Sequence, residues 1–135
     1  MSSHREALRA ETPANLVDVM RLAGSQRRLR RWATYQARRS DTVAVYRGDR
    51  LLSVATLFPE GPHVRELCLL FDPAARADML GLVRTAQLML RPIADHGVVI
   101  VARIKPSNRA GRRMARLAGF LETDAEGGRL WIWRG

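Results

Sequence analysis

The sequence predicts one α/β layered domain over residues 1–135. Three observations lead there. Short apolar runs of strand character alternate with helical periods that carry caps and stops. "GVVIVARI", residues 97–104, is a continuous apolar run, as expected of a strand covered on both faces. A chain of 135 residues with 47% hydrophobic content suits a single core.

Taken in order, "EALRAE" reads as a short first strand. "TPANLVDVMRLAG" reads as a helix with Thr12 as N-cap, Pro13 at its first position and Gly24 as its stop. Leu16, Val19, Met20 and Ala23 share a face there. "SQRRLRRWATYQARRS" is a second helix capped by Ser25. "TVAVYRGDRLLSVATLF" places two apolar runs around Arg47-Gly48-Asp49-Arg50, a β-hairpin. "HVRELCLLF" is a further, buried strand holding Cys68, which reads as a small core residue. Asp72 and Pro73 cap and open a long helix through "AARADMLGLVRTAQLML". After the apolar strand, Ser107 caps a helix that Gly119 ends. "GFLETDAEGGRLWIWRG" closes as a hairpin around Glu126-Gly127-Gly128.

Composition narrows the function. No stretch approaches the ~18–20 apolar residues that span a membrane, and "MSSHREALRAE" lacks the apolar centre of a signal peptide. A soluble, cytoplasmic chain is the expectation. With one cysteine there is no internal disulfide and no cysteine-based metal site. His4, His63 and His96 have no metal-ligand spacing, and His96 sits at a helix end, where it pairs with the dipole. The formal net charge of +10 predicts attraction to polyanions: nucleic acid, a phosphorylated cofactor or an acidic protein.

The charge is concentrated in two acid-free windows. Between Asp18 and Asp41 lie seven arginines, among them Arg27, Arg28, Arg30 and Arg31. Between Asp95 and Glu122 lie five arginines and Lys105. Arg109, Arg112, Arg113 and Arg116 are spaced i, i+3, i+4, i+7 on one helical face, with Ala110, Met114, Leu117 and Ala118 opposite. Like charges at this spacing cost a few tenths of a kcal/mol per pair (~0.2–0.5), which an anionic partner would relieve. No nucleic-acid-reading motif accompanies them, so nonspecific binding is the form expected. Trp131 and Trp133 alternate on a terminal strand, as core or interface residues; if that strand is an edge, a homodimer follows.

Three stretches in the order above carry a resemblance. "LRAETPANLVDVM" is a short strand followed by a Thr-Pro helix start. "FDPAARADMLGLV" is similar to V-x-P-x-x-R-G-x-G-x-G. "NRAGRRMARLAGF" is similar to N-x-x-A-x-x-x-Y-x-x-x-G-F. Together they resemble the GNAT superfamily of acyl-CoA N-acyltransferases over nearly the whole chain. The resemblance implies a central mixed, mostly antiparallel sheet flanked by helices. It implies acetyl-CoA as cofactor, with Leu70 and Phe71 at the strand end, Arg76 and Gly81 in the phosphate loop, and Asn108 beside the pantetheine arm. A helix N-terminus attracts phosphate through its free N–H groups and its dipole, and glycines let the backbone approach.

The departures are specific. Ala77 replaces one loop glycine and Met79 the middle one, while Asp78 adds a negative charge. Ala115 stands where the family's tyrosine would protonate a leaving thiolate, a contribution of ~10²–10⁴ in rate. Glu66, on the strand feeding the loop, is the candidate base; its other reading is an ion pair with Arg65 or Arg103. Tyr35 and Tyr46 are possible acids, with packing the plainer role. These features predict a GNAT-like protein with weakened or lost acetyl-CoA chemistry that acts through binding. Two alternatives remain. One is an active N-acetyltransferase for a small-molecule or protein amine. The other is a virion component, since the chain also resembles short, divergent GNAT-fold proteins of tailed bacteriophages.

Overall fold

The computed structural model describes residues 7–24, 27–29, 31, 33 and 40–135. Its strands are β1 (Leu8–Glu11), β2 (Asp41–Arg47), β3 (Arg50–Gly61), β4 (Val64–Phe71), β5 (Val99–Arg103), β6 (Phe120–Glu122) and β7 (Leu130–Trp133). Its helices are α1 (Leu16–Ala23), α2 (Met79–Asp95) and α3 (Arg109–Ala118). Residues 27–29, 31 and 33 are also helical, which agrees with the second helix expected there; its Ser25 cap and Tyr35 lie outside the described residues. The strands form one sheet in the order β1-β2-β3-β4-β5-β7-β6. The β4–β5 pair is parallel, whereas β1–β2, β5–β7 and β6–β7 are antiparallel, giving the mixed, mostly antiparallel sheet expected. β7 lies between β5 and β6, so the terminal tryptophan strand is not an edge, and Trp131 and Trp133 are both buried.

By their contacts the residues group into two compact units. The first is Met1–Thr56 with Leu69–Ala77. Its core joins Val19 and Ala23 of α1, Ala33, Ala44 and Tyr46 of β2, and Leu51 and Val54 of β3, with Ala14, Leu22 and Leu70 packed against them. The inward face of α1 therefore centres on Val19, Leu22 and Ala23, while Leu16 is exposed. The N-cap of α1 is Asn15, whose Oδ1 accepts from the Val17 N–H at 2.8 Å. Thr12 does not cap because its hydroxyl donates to the Thr42 carbonyl at 2.8 Å, and the Ala14 N–H is held by the Thr42 hydroxyl. That lacing to β2 delays the helix by three residues, and Pro13 precedes it. The turn between β2 and β3 is Gly48-Asp49, with Gly48 at φ 58°.

Asp18 on α1 and Tyr46 on β2 pin helix to sheet. The Tyr46 hydroxyl donates to Asp18 Oδ2, and Arg21 donates to Oδ1 at 2.7 Å. The Arg9 guanidinium lies over the Tyr46 ring, 4.6 Å from its centroid. The bond to Asp18 pushes the phenol up to about 12, and the same bond holds the carboxyl below its ordinary value. Tyr46 is thus engaged as a hydrogen-bond donor to Asp18.

After β4, the chain enters a 3-10 turn, Pro73–Asp78, and the α-helix starts only at Met79. The Asp72 carboxylate accepts from the Ala74 N–H at 2.9 Å, and the Asp72 carbonyl from the Ala75 N–H at 2.8 Å. Asp72 therefore caps the tight turn, not α2. That tight i→i+3 pattern separates the turn from the wider α-helix.

The second unit is Leu57–Cys68 with Asp78–Gly135. Its buried residues include Leu82, Val83 and Leu90 of α2, Ile100–Ala102 of β5, Met114, Ala115 and Ala118 of α3, and Phe120, Trp131 and Trp133. Three consecutive buried residues in β5 fit a strand covered on both faces. The N-cap of α3 is Asn108 rather than Ser107: its Oδ1 accepts from the Gly111 N–H at 2.9 Å. At the other end, all four terminal carbonyls of α3 find donors. Gly119, at φ 105°, gives its N–H to Ala115 and Arg116, Gln87 reaches Leu117 and Ala118, and Trp133 Nε1 donates to Ala118 at 2.8 Å. A Cβ on Gly119 would lie 2.7 Å from the Gly135 carbonyl carbon, so only glycine fits that stop.

Replacing Tyr46 by Phe should lower stability at pH 7 by about 1 kcal/mol, since the Asp18 carboxylate loses a buried donor. The phenol titrates higher in the folded state, so wild-type stability is whole below pH ~10 and falls as pH rises towards ~12. Tyr46→Phe should lack that part of the alkaline loss. Urea unfolding at pH 7 and from pH 9 to 12 tests both.

Candidate functional site

β4 and β5 pair in parallel through Val64↔Val99, Arg65↔Ile100 and Glu66↔Val101, and the register stops there. No residue of β4 is fully buried, Cys68 included, which corrects the buried strand expected from its apolar sequence. Glu66 and Cys68 share a face, as alternation predicts, and Cys68 Sγ donates to Glu66 Oε1 at 3.4 Å. Arg103 stands two residues past the partner of Glu66, on the same side of the pleat. Its Nη1 meets Glu66 Oε2 at 2.5 Å.

Arg103 also gathers Glu60 from the end of β3 and Glu126 from the β6–β7 connection, the latter at 2.9 Å. Hydrogen bonds that Arg103 donates to Glu126 first, then to Glu60 and Glu66, raise the guanidinium above its ordinary value, and the same bond holds the Glu126 carboxyl below its own. Three carboxylates thus converge on one cation. Arg65, the other partner considered for Glu66, instead donates to the carbonyls of Gly61 and Val64. Glu60 and Glu126 were not legible in the sequence, because they meet Arg103 only through the register of β3 and the loop at φ 54° on Glu126.

The loop residues divide between the two units. In the first, Leu70 packs against the core, Phe71 is half-buried and Arg76 is exposed. In the second, Asp78 is buried, at 7% exposure, and makes no side-chain hydrogen bond to the first turn of α2. Met79 is the first residue of α2 and is half-buried; Gly81 follows, its carbonyl accepting from Thr85 Oγ1 at 2.9 Å.

On α3, Asn108 is exposed and engaged as the N-cap. Ala115 is buried, so the position aligned with the tyrosine faces the core. The inward stripe is Gly111, Met114, Ala115 and Ala118, one position away from the expected one: Ala110 and Leu117 are exposed. Arg112 and Arg116 share Glu122, at 3.1 and 3.5 Å, and Arg116 lies over the Trp131 ring. Arg109 and Arg113 are exposed and have no partner among the described residues. Arg27, Arg28 and Arg31 are exposed in the first unit; Arg30 lies outside the described residues. Among the described residues no group of three or more His, Cys, Asp or Glu could hold a metal, and no helix is long and apolar enough to cross a membrane. His96 Nδ1 donates to the Pro92 carbonyl at 2.6 Å.

This order of strands, with one parallel pair at its centre and α2 and α3 following β4 and β5, recurs in solved structures. An IAA acetyltransferase from Bacillus cereus is 14% identical, with 93% of this chain and 96% of that chain covered and a TM-score of 0.66. A GNAT-family protein from Desulfovibrio desulfuricans is 15% identical, with the same coverage and a TM-score of 0.68. The ribosomal-protein-S18-alanine N-acetyltransferase of Escherichia coli is 14% identical, with 93% and 89% covered and a TM-score of 0.68. The chain has the GNAT fold. No family profile and no curated protein sequence matches it. At 14–15% identity, what the chain shares with these GNAT-fold structures is the backbone.

Removing the guanidinium should expose how the carboxylates depend on it. Arg103→Met leaves Glu60, Glu66 and Glu126 facing one another and should destabilise by about 1–2 kcal/mol at pH 7, the range of a lost charged hydrogen bond after discounting for exposure. Because the Glu126 carboxyl is held below its ordinary value in the folded protein, its share of the effect is present above the ordinary carboxylate range and is lost as pH falls through the lowered folded value. Chemical unfolding of both proteins at pH 7 and pH 4 tests this; an equal difference at both would show that the ion pairs do not carry it.

Proposed function

We propose that this chain is a GNAT-fold protein that works by binding, its acetyl-CoA chemistry weakened or lost. The observation that carries this reading is Met79 at the first position of α2, directly after the buried carboxylate of Asp78. A pyrophosphate held by a helix N-terminus needs backbone N–H groups it can reach and a positive local field. A thioether side chain at the first turn obstructs the approach, and Asp78 opposes the field.

Two further features support the same reading. Ala115 has no proton to give and is turned into the core. Glu66, the carboxylate best placed on β4 to act as a base, is committed to Arg103. Against these stand Arg76 and Gly81, which match the motif's sequence pattern. The residues present do not fit acetyl-CoA as a tightly held cofactor. The alternative, an active N-acetyltransferase for a small-molecule or protein amine, needs that loop to accommodate Met79.

Calorimetric titration with acetyl-CoA, with Met79→Gly beside the wild type, tests the reading. The expected result is no saturable heat from the wild type up to 1 mM and measurable binding by the variant. Binding at about 10 µM would stabilise the fold by ~2.7 kcal/mol at 1 mM ligand, so a melting curve provides a second readout. Micromolar binding by the wild type would overturn the proposal in favour of the enzyme.

A further inference from the structure

Resting on the binding reading above, we infer that the exposed face of α3 is a docking surface for nucleic-acid backbone phosphates, with Arg109 and Arg113 as its principal contacts. The ten-residue helix carries four arginines and no acid. Glu122 neutralises only the pair Arg112 and Arg116, which leaves Arg109 and Arg113 exposed and without a partner among the described residues. They lie one turn apart, about 6 Å along the axis, and Lys105 is exposed just before them. Arg109 also occupies the first helical position, where the positive end of the helix dipole disfavours a cation. Folding alone gives no reason for that arrangement, and an anion laid along the face would remove its cost.

The row of cations is held rigidly. Asn108 caps the start of α3, and Gly119, Gln87 and Trp133 satisfy its last carbonyls. Little ordering entropy therefore opposes docking, beyond that of the arginine side chains themselves. Duplex DNA carries one negative charge per ~1.7 Å of axis, so a fixed cationic row finds phosphates in any register. Arginine's planar fork suits phosphate oxygens.

A protein interface of ordinary stability has an apolar or aromatic centre. The exposed residues of α3 are Arg109, Ala110, Arg113, Arg116 and Leu117, and the tryptophans nearby are buried. The face therefore favours a polyanion over an acidic protein partner, and phosphates over bases, since it offers no aromatic platform for stacking.

The test is fluorescence anisotropy of the full chain with a mixed-sequence 20-bp DNA duplex between 50 and 200 mM salt. Each phosphate contact contributes a slope of about −0.9 in log K against log salt. Arg109→Gln/Arg113→Gln should lower the slope by about 1.8 and weaken binding by roughly 10- to 100-fold at 100 mM salt. Arg109→Lys/Arg113→Lys should keep the slope. Arg50→Gln/Arg84→Gln removes the same charge from exposed sites elsewhere and should leave the slope unchanged. The inference is overturned by three results. One is no salt-dependent binding by the wild type. Another is equal slope loss in both Gln pairs. The third is displacement of the duplex by poly-glutamate at equal charge concentration, which would assign the face to an acidic protein. The Met79→Gly comparison in the acetyl-CoA titration reads the start of α2, whereas the arginine pairs read the outer face of α3, so either proposal can fail alone.

Discussion

The second unit depends on how α3 ends. Its last four carbonyls point at neighbours that would otherwise leave them unpaired, and a buried unpaired carbonyl costs about 1–3 kcal/mol. Gly119 closes two of them from within the turn, Gln87 of α2 reaches the other two, and the Trp133 indole of β7 adds a second donor at Ala118. Helix, neighbouring helix and sheet strand are thereby fixed by groups that fit only one rotation of α3. That rotation turns Gly111, Met114, Ala115 and Ala118 inward and leaves the arginines outside.

The same constraint explains how the charge is distributed. In the second unit, acids are spent on arginines that hold segments together: Glu60, Glu66 and Glu126 around Arg103, and Glu122 between Arg112 and Arg116. Asp18 serves Tyr46 and Arg21 in the first unit. The net charge of +10 reflects 23 basic residues against 13 acids, and among the described residues some arginines stand outside these pairs. Arg109 and Arg113 belong to that remainder, as do the exposed Arg27, Arg28 and Arg31.

The order of elements was legible because each strand and helix has its own period and its own stop. The β2–β3 hairpin, the apolar β5 and the Gly119 stop fall where the residues predict. Helix starts were less legible, since cap-competent residues occur in clusters and tertiary bonds choose among them. Thr12 is taken by Thr42 and so Asn15 caps α1; Asn108 caps α3 although Ser107 precedes it. The inward stripe of α3 was misread by one position because its apolar residues are few and small, so periodicity gave two near-equal faces. Of the candidate site, the Glu66–Arg103 pair could be anticipated from alternation once β4 and β5 are parallel neighbours. Glu60 and Glu126 arrive from other strands and loops, and local sequence carries no sign of them.

The departures from the GNAT motifs differ in kind from the arginine row. Ala115 is small and buried, and Met79 is half-buried in a first helical turn; both are residues that packing alone accepts. Packing does not ask for four arginines at i, i+3, i+4 and i+7. A helix selected for stability would place acids among them, since opposite charges at those spacings gain about what like charges lose. No acid stands on α3, and Glu122, which answers two of the arginines, comes from β6. Among the described residues, the arginine row on the outer face of α3 is thus unexplained by stability, while Ala115 and Met79 look like ordinary core and turn. That contrast supports the proposal of a binding protein on the GNAT fold.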